Sequence, residues 1–457
     1  MLCRRRKGWL RVTERNEGSE VSAGRKLNRR DFLKMGGAGL AGAALLGASG
    51  CGGGGGGSGE IIFSYGPDVD GSIAKLIDKF NKQNKGGIQA THRQMPADTG
   101  QYYDKMRTEF QAASGDISVI GVDVIWPKQF APQNWIIDLS DRFPTSEQKE
   151  FIPSTIEVAS YEDGVYAVPW VSCPDVGLLY YRKDLLDDSG ISGPPETWDD
   201  LKEMAVQVSE EAGVQNGFVF QGSNYEGGVC NALEYIWTHG GDVLDENNNV
   251  VIDSPEAAAG LATYASMLTS GAAPEAVANW TETESRASFY NEDSVFIRYW
   301  PSLYALLGVP SQTKLEPDQV GIVPIPTDKP GSPSYSTLGG WQMSINANTD
   351  LDDDAWTFIQ FMTSEQSQKT RTIINGGDPS RKAVYDDPEA QEATPVIKLA
   401  ETVLFENGKS RPVTEYYGDM SLEMAEQFNA ALKGDISPEA AVKTLQKSLS
   451  QIMEEAQ

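Results

Sequence analysis

From Ile61 onward the chain alternates short β-branched runs with helical periods, and this rhythm limits its fold more than any other feature. Ile61 to Tyr65 has the branched and aromatic content of a strand. Ile73, Leu76, Ile77 and Phe80 follow at i, i+3, i+4 and i+7, a spacing that sets four apolar side chains on one helix face. Tyr102 to Ala113 reads as a second helix and Val119 to Trp126 as a second strand. A β-α-β-α succession covers a mostly parallel sheet with helices, so an α/β fold is expected. At 457 residues the chain exceeds what one core usually organises, which predicts two lobes.

Helix signals continue downstream. Thr197 is placed to cap a helix over Trp198 to Ala212, and Ser254-Pro255 to open one reaching Thr269. Further amphipathic segments span Asn231 to Thr238, Leu351 to Met362, Ser421 to Leu432 and Pro438 to Met453. Val295, Phe296, Ile297 and Tyr299 predict a buried strand, and Pro301 stops it by removing a ladder donor. Trp300 is left at the strand's exit. Ligands gather at carboxyl ends of strands in open α/β sheets, and a flat indole there suits the apolar face of a sugar ring. An ordinary core tryptophan is the alternative reading.

The first fifty residues form a separate object. Asn28-Arg29-Arg30-Asp31-Phe32-Leu33-Lys34, a short Gly/Ala/Leu stretch and Ser49-Gly50-Cys51 together resemble a twin-arginine export signal ending in a lipoprotein cleavage site. Ala48 stands where leucine is usual. Arg29 and Arg30 would direct export, Cys51 would carry the lipid, and residues 51–59 would be a glycine-rich tether. The expected location is the outer face of the cytoplasmic membrane.

Charge narrows the partners. The whole chain carries a formal charge of −27, and the first fifty residues are basic, so the remainder is more acidic still. Such a field repels nucleic acid and anionic head groups, leaving the lipid anchor as the expected membrane attachment. Beyond the signal only Cys173 and Cys230 remain as thiols, able either to pair in an oxidising compartment or to serve as small buried hydrophobes. His92 and His239 lack metal-ligand spacing, so neither a metal nor a cofactor is expected.

Several aromatic and glycine motifs sit at element ends. Gly217-Phe218-Val219-Phe220-Gln221-Gly222 with Tyr225-Glu226-Gly227, then Tyr299-Trp300-Pro301, Thr337-Leu338-Gly339-Gly340-Trp341 and Arg411-Pro412 occur in this order. From about Ile61 to the C-terminus the chain resembles the extracellular sugar-binding proteins of ABC importers, nearest to the trehalose/maltose-binding group. The resemblance implies a two-lobed periplasmic-binding-protein fold of class II type, with a ligand cleft and three hinge crossings. The crossings would fall near Trp170 to Asp175, Leu338 to Gln342 and Lys409 to Thr414. One lobe would then hold 60–171 and 342–409, the other 172–341 and 410–457. The implied partners are a sugar, such as trehalose, maltose or a related α-glucoside, and the permease of an ABC importer, with the protein a monomer.

Site residues carry over one at a time. Thr99, Asp123, Asp175, Tyr225, Glu226, Gly339, Gly340 and Arg381 match ligand-contacting positions, and Trp300 and Trp341 match stacking aromatics. Asp123 could instead cap the segment from Pro127, and Arg381 could make a surface ion pair. The chain departs from the group at Tyr102-Tyr103, where consecutive arginines are usual, at Ser302 in place of an aromatic, and at Val69, flanked by Asp68 and Asp70.

Two other classes compete. A glycoside hydrolase would need two carboxylates flanking one bond, a role open to Asp123, Asp175 or Glu226. A redox enzyme would fit twin-arginine export, but the chain has no cysteine cluster and no Gly-x-Gly-x-x-Gly after a strand.

Overall fold

The computed structural model describes residues 59–455, so Arg29, Arg30, Cys51 and the tether up to Ser58 lie outside the described residues. The chain opens with β1 (Glu60–Tyr65), α1 (Ser72–Gln83), β2 (Gln89–Gln94), α2 (Thr99–Gln111) and β3 (Val119–Asp123). Ile73, Leu76, Ile77 and Phe80 are the buried face of α1, and Asp68 accepts the Ile73 and Ala74 amides that start this helix. β4 (Val168–Val176) leads away, and β5 (Leu178–Arg182), α3 (Trp198–Ala212), β6 (Asn216–Val219), α4 (Glu226–Thr238), α5 (Pro255–Thr269), β7 (Ser294–Tyr299) and β8 (Val320–Pro324) build a second body. β9 (Ser336–Ile345) returns to the first. α6 (Glu365–Asn375), α7 (Val396–Asn407), β10 (Gly408–Lys409) and α8 (Tyr417–Lys433) follow, and the last described helix is Pro438–Glu455.

Two sheets carry two apolar cores. The first runs β10-β9-β3-β1-β2 with β4 also on β9, and the second runs β8-β5-β7-β6. Mostly parallel pairing is expected from the β-α rhythm, and parallel pairing is found for β1 with β2 and β3, for β6 with β7 and for β9 with β10. Strands that enter from the other body reverse this. β9 is antiparallel to β3 and β4, and β5 to β7 and β8, so both sheets are mixed.

β4 and β9 are the physical link. Trp170 and Val171 of β4 lie in the first core and Val176 in the second, while Met343 and Ile345 of β9 lie in the first and Leu338 packs on the second. The two strands run side by side through the transition. Their pairing slips between Gly339 and Trp341, where Ser172 takes φ +42 and Gly340 φ +132. A Cβ on Gly340 would overlap the Ser172 carbonyl, so this approach requires glycine.

The third boundary differs from the expected one at 409. Tyr385 and the apolar face of α7 (Val396, Ile397, Ala400, Val403, Leu404) belong to the second core, against β4, β8 and β9. The chain therefore changes body between α6 and Tyr385 rather than at Lys409 to Thr414. Burial of an amphipathic helix, rather than the Gly/Pro interruption, sets the switch.

Local signals act as read. Thr197 forms a capping box with Asp200 on α3, Ser254 caps α5 with Pro255 in its first turn, and β7 is buried along its length up to Trp300-Pro301. α4 begins five residues before the expected Asn231. Its early glycines lower helix propensity but let the turn pack, since a Cβ on Gly228 would overlap the Ser223 carbonyl. Cys173 and Cys230 are buried free thiols and do not pair. His92 and His239 face the Tyr65 and Tyr235 carbonyls as structural groups. No helix among the described residues is long and apolar enough to cross a membrane.

Candidate functional site

A cleft with a cavity volume of about 350 Å³ lies between the cores. It is lined from the carboxyl ends of β1, β3 and β7, from the first turns of α2 and α4, and from the β4–β9 crossing. This is where strand-end loops of α/β sheets place ligand groups.

Trp300 and Trp341 supply its aromatic surface. Pro301 ends β7 and turns Trp300 outward, half-buried. Tyr180 donates from its hydroxyl to the Trp300 carbonyl at 3.0 Å, and the Arg298 guanidinium sits 4.1 Å from the indole centre. Arg298 is itself paired with Glu234 and buried to 1 % exposure. Glu234 also accepts from the Thr337 amide at 3.1 Å, so the pair ties α4, β7 and β9 behind the platform. Gly177 leaves it room, because a Cβ there would overlap both charged groups. Trp341 stacks parallel to Tyr102 at 5.9 Å and meets Tyr65 edge-on at 5.0 Å. Tyr102 is thus a buried support, donating to the Ser64 and Gly121 carbonyls, and does not reach the cleft as an arginine would.

Asp123 ends β3 opposite Trp341 and is 6 % exposed. Its Oδ1 accepts from Ile125 N at 3.2 Å, turning the chain after the strand, and from Arg411 Nη2 at 2.9 Å. Burial pushes its pKa up while Arg411 pulls it down. Arg411 also donates through Nη1 to Glu226 Oε1 at 2.6 Å, and Tyr417 and Ser421 of α8 occupy Glu226 as well. Glu226 is therefore chiefly a bracket between α4 and α8. Tyr225 donates to Glu282 Oε2 at 2.7 Å.

Asp175 lies on β4 opposite Gly339, and its Oδ1 is buried without a partner. Burial pushes its pKa up to about 8, moderated by a hydrogen bond from Ser172 and by Arg298. Thr99 Oγ1 is likewise buried and orphaned at the start of α2. Gly339 lies against the Trp300 ring and Gly340 against Ser172, and both line the cleft.

Arg381 lies elsewhere. Its Nε donates to the Thr363 carbonyl at 2.8 Å, Nη2 pairs with Glu147 at 3.1 Å, and its plane lies 4.3 Å from the Phe151 centre. The ion-pair alternative is the one realised, because the chain after α6 bridges Phe151 and carries Arg381 to that side.

Sequence reasoning missed Arg371 of α6, which lines the cleft. It rests 4.3 Å from the Trp170 ring, is 6 % exposed, and has no partner for Nε or Nη1. Asp70 and Arg286 also line the cleft. Nothing local distinguished Arg371 from a surface helix arginine, whereas Arg411 was flagged by its Arg-Pro motif.

A family model for bacterial extracellular solute-binding proteins matches residues 65–369. A probable ABC transporter-binding protein of Deinococcus radiodurans is 31% identical over 369 residues, covering 79% of this chain and 85% of the relative. Among solved structures, maltose-bound T. maritima MalE3 is 36% identical with a TM-score of 0.81, covering 86% of this chain and 99% of that one. The GacH receptor of Streptomyces glaucescens, solved unliganded and with acarbose, shares the fold at a TM-score of 0.77 and 22% identity, covering 87% of this chain and 99% of the receptor.

Proposed function

The chain belongs to the bacterial extracellular solute-binding proteins, and on that premise we propose that it captures a neutral disaccharide, such as maltose, trehalose or a related α-glucoside, for an ABC importer. One observation carries this reading. Five of the twelve orphaned buried side-chain atoms among the described residues (Thr99 Oγ1, Asp175 Oδ1, Arg371 Nε and Nη1, Arg411 Nε) belong to residues lining the one cleft that also holds Trp300 and Trp341. Unpaired buried donors and acceptors are costly, and a polyhydroxylated ligand with apolar ring faces satisfies them together with the indoles. The relative whose structure holds maltose is consistent with that class.

Contacts divide between the bodies, with Thr99, Asp123 and Arg371 on one and Tyr225 and Trp300 on the other. Ligand then favours the closed state through contacts available only when the cleft shuts, with β4 and β9 as hinge strands. The protein delivers its ligand unchanged to the permease and is held at the membrane as a monomer by lipid on Cys51 after twin-arginine export. The hydrolase alternative has less support, because Arg411 is bound to both Asp123 and Glu226 and α8 occupies Glu226, so of the three carboxyls that reading calls on only Asp175 keeps an open oxygen.

Calorimetric titration against a disaccharide panel tests the reading, with saturable binding of at least one α-glucoside expected. Small-angle scattering should show a smaller radius of gyration on saturation. Failure of every saccharide to bind, or turnover of p-nitrophenyl α-glucoside above background, would overturn it.

A further inference from the structure

The first-body end of the cleft is organised around an uncompensated charge. Arg371 projects from the last turns of α6 over Trp170, 4.3 Å from its ring centre, with the Tyr65 ring centre 5.7 Å away. The nearby acid does not neutralise it. Asp70 accepts from Ser72 N at 2.7 Å through Oδ1 and from Asn375 Nδ2 at 3.2 Å through Oδ2. A guanidinium nine-tenths buried with two open nitrogens is a costly arrangement for an empty chain, and an incoming acceptor relieves it.

The geometry of those donors restricts what can fill them. Nε and Nη1 do not share an edge of the guanidinium plane, whereas a carboxylate or phosphate in a two-pronged contact takes adjacent N–H groups along one edge. Two oxygens set apart on a ring fit better. The field favours the same choice, because even without Asp175, which holds its proton at neutral pH, five carboxyl groups (Asp70, Asp98, Asp123, Glu226, Glu282) line the cleft against three arginines.

We propose that Arg371 is a specificity-determining donor of this cleft, taking two separate oxygens of a neutral saccharide through Nε and Nη1 and discriminating against sugars that carry a carboxylate or phosphate. This rests on the function proposed above and names the ligand feature read at one end of the site. Trp170 and Tyr65 flank the guanidinium, so selectivity follows from where the ligand places its hydroxyls.

The test is calorimetry on the full chain and on its R371A and R371K variants, with maltose, trehalose, the monodeoxy derivatives of whichever binds, and its phosphorylated or uronate analogue. Arg371→Ala should weaken the neutral disaccharide about 10- to 100-fold, as loss of charged hydrogen bonds requires. Arg371→Lys should recover only part, since an ammonium keeps the charge without the planar fork. In wild type, one or two ligand hydroxyls should each be worth about tenfold, and in Arg371→Ala the same deletions should cost less than about twofold. Because each comparison is made within one folded variant, a general loss of stability cannot imitate it. Deoxy penalties equal in both chains, or an Arg371→Ala affinity within twofold of wild type, would overturn the assignment. Arg371-dependent preference for the anionic analogue would overturn its neutral part. A wild-type chain that binds no saccharide would instead overturn the proposed function, a result seen before any substitution is made.

Discussion

Asp123 at the end of β3 and Glu226 in the first turn of α4, one in each body, are held by the same guanidinium: Arg411 Nη2 is 2.9 Å from Asp123 Oδ1 and Nη1 is 2.6 Å from Glu226 Oε1. Arg411 is 3 % exposed, so this bridge is shielded from solvent. Buried charges of this kind add little net stability compared with an apolar replacement of the whole set, but removing one member strands the others.

Arg411→Ala should therefore destabilise the chain by about 3 to 5 kcal/mol, more than deletion of an exposed arginine. Urea denaturation at pH 7 gives the value. A loss below about 1 kcal/mol would mean that water replaces the bridge. The same variant should also bind sugar more weakly.

On the proposed function the two indoles bind sugar by contact area. Trp300→Ala and Trp341→Ala should each weaken disaccharide binding by about 1 to 3 kcal/mol while leaving the far-ultraviolet dichroism unchanged. Trp341 is already covered on Tyr102, and Trp300 by Arg298, so neither ring must be ordered by the ligand. Wild-type affinity in both variants would return them to the core.

Asp175 makes stability depend on pH. Burial raises its pKa from the usual 3.8 to about 8, so between these values the folded chain holds a proton that the unfolded chain has released. Its contribution is full below about pH 4 and is lost as pH rises through about 8, with a slope of at most about 1.4 kcal/mol per unit. Asp378, also buried, is pushed upward as well, first by burial and then by Asp175, and reinforces the trend. Thermal midpoints at pH 5 and pH 8.5 should differ more in wild type than in Asp175→Asn. Equal differences would remove Asp175 as the source.

Gly340 is the tightest point of the hinge. Gly340→Ala adds a Cβ where φ is +132 and where the Ser172 carbonyl already stands, so β4 and β9 must separate. A loss of about 1 to 3 kcal/mol in stability is expected, with altered affinity because the crossing also lines the cleft. Gly434→Ala is the comparison. It has φ +77 but open space around it, so any excess loss at Gly340 reports the clash.

Cys51 is the proposed lipid site. Cys51→Ser should move the exported protein from the membrane fraction to the medium, since its acidic body cannot bind anionic lipid by charge. Unchanged fractionation would exclude lipidation as the tether.

The sequence by itself determined what is periodic or local. The α1 face, the Thr197 and Ser254 caps and the stop at Trp300-Pro301 are written in neighbouring residues, because helix period, capping and proline chemistry act over a few positions. Asp123, Asp175 and the Gly339-Gly340-Trp341 run are assigned to the ligand site through the resemblance to the sugar-binding proteins, and they line the cleft where strands end or cross. Tertiary structure decided the rest. Arg371 and Arg381 stand ten residues apart in similar polar surroundings, yet α6 packs on α1 and β4 so that the first enters the cleft, while the following turn pairs with Phe151 and carries the second away. Arg411 likewise gains its partners 288 and 185 positions away only when two sheets and α8 are assembled around it. Side-chain partners at such separations depend on how elements dock, and no spacing within the chain encodes that.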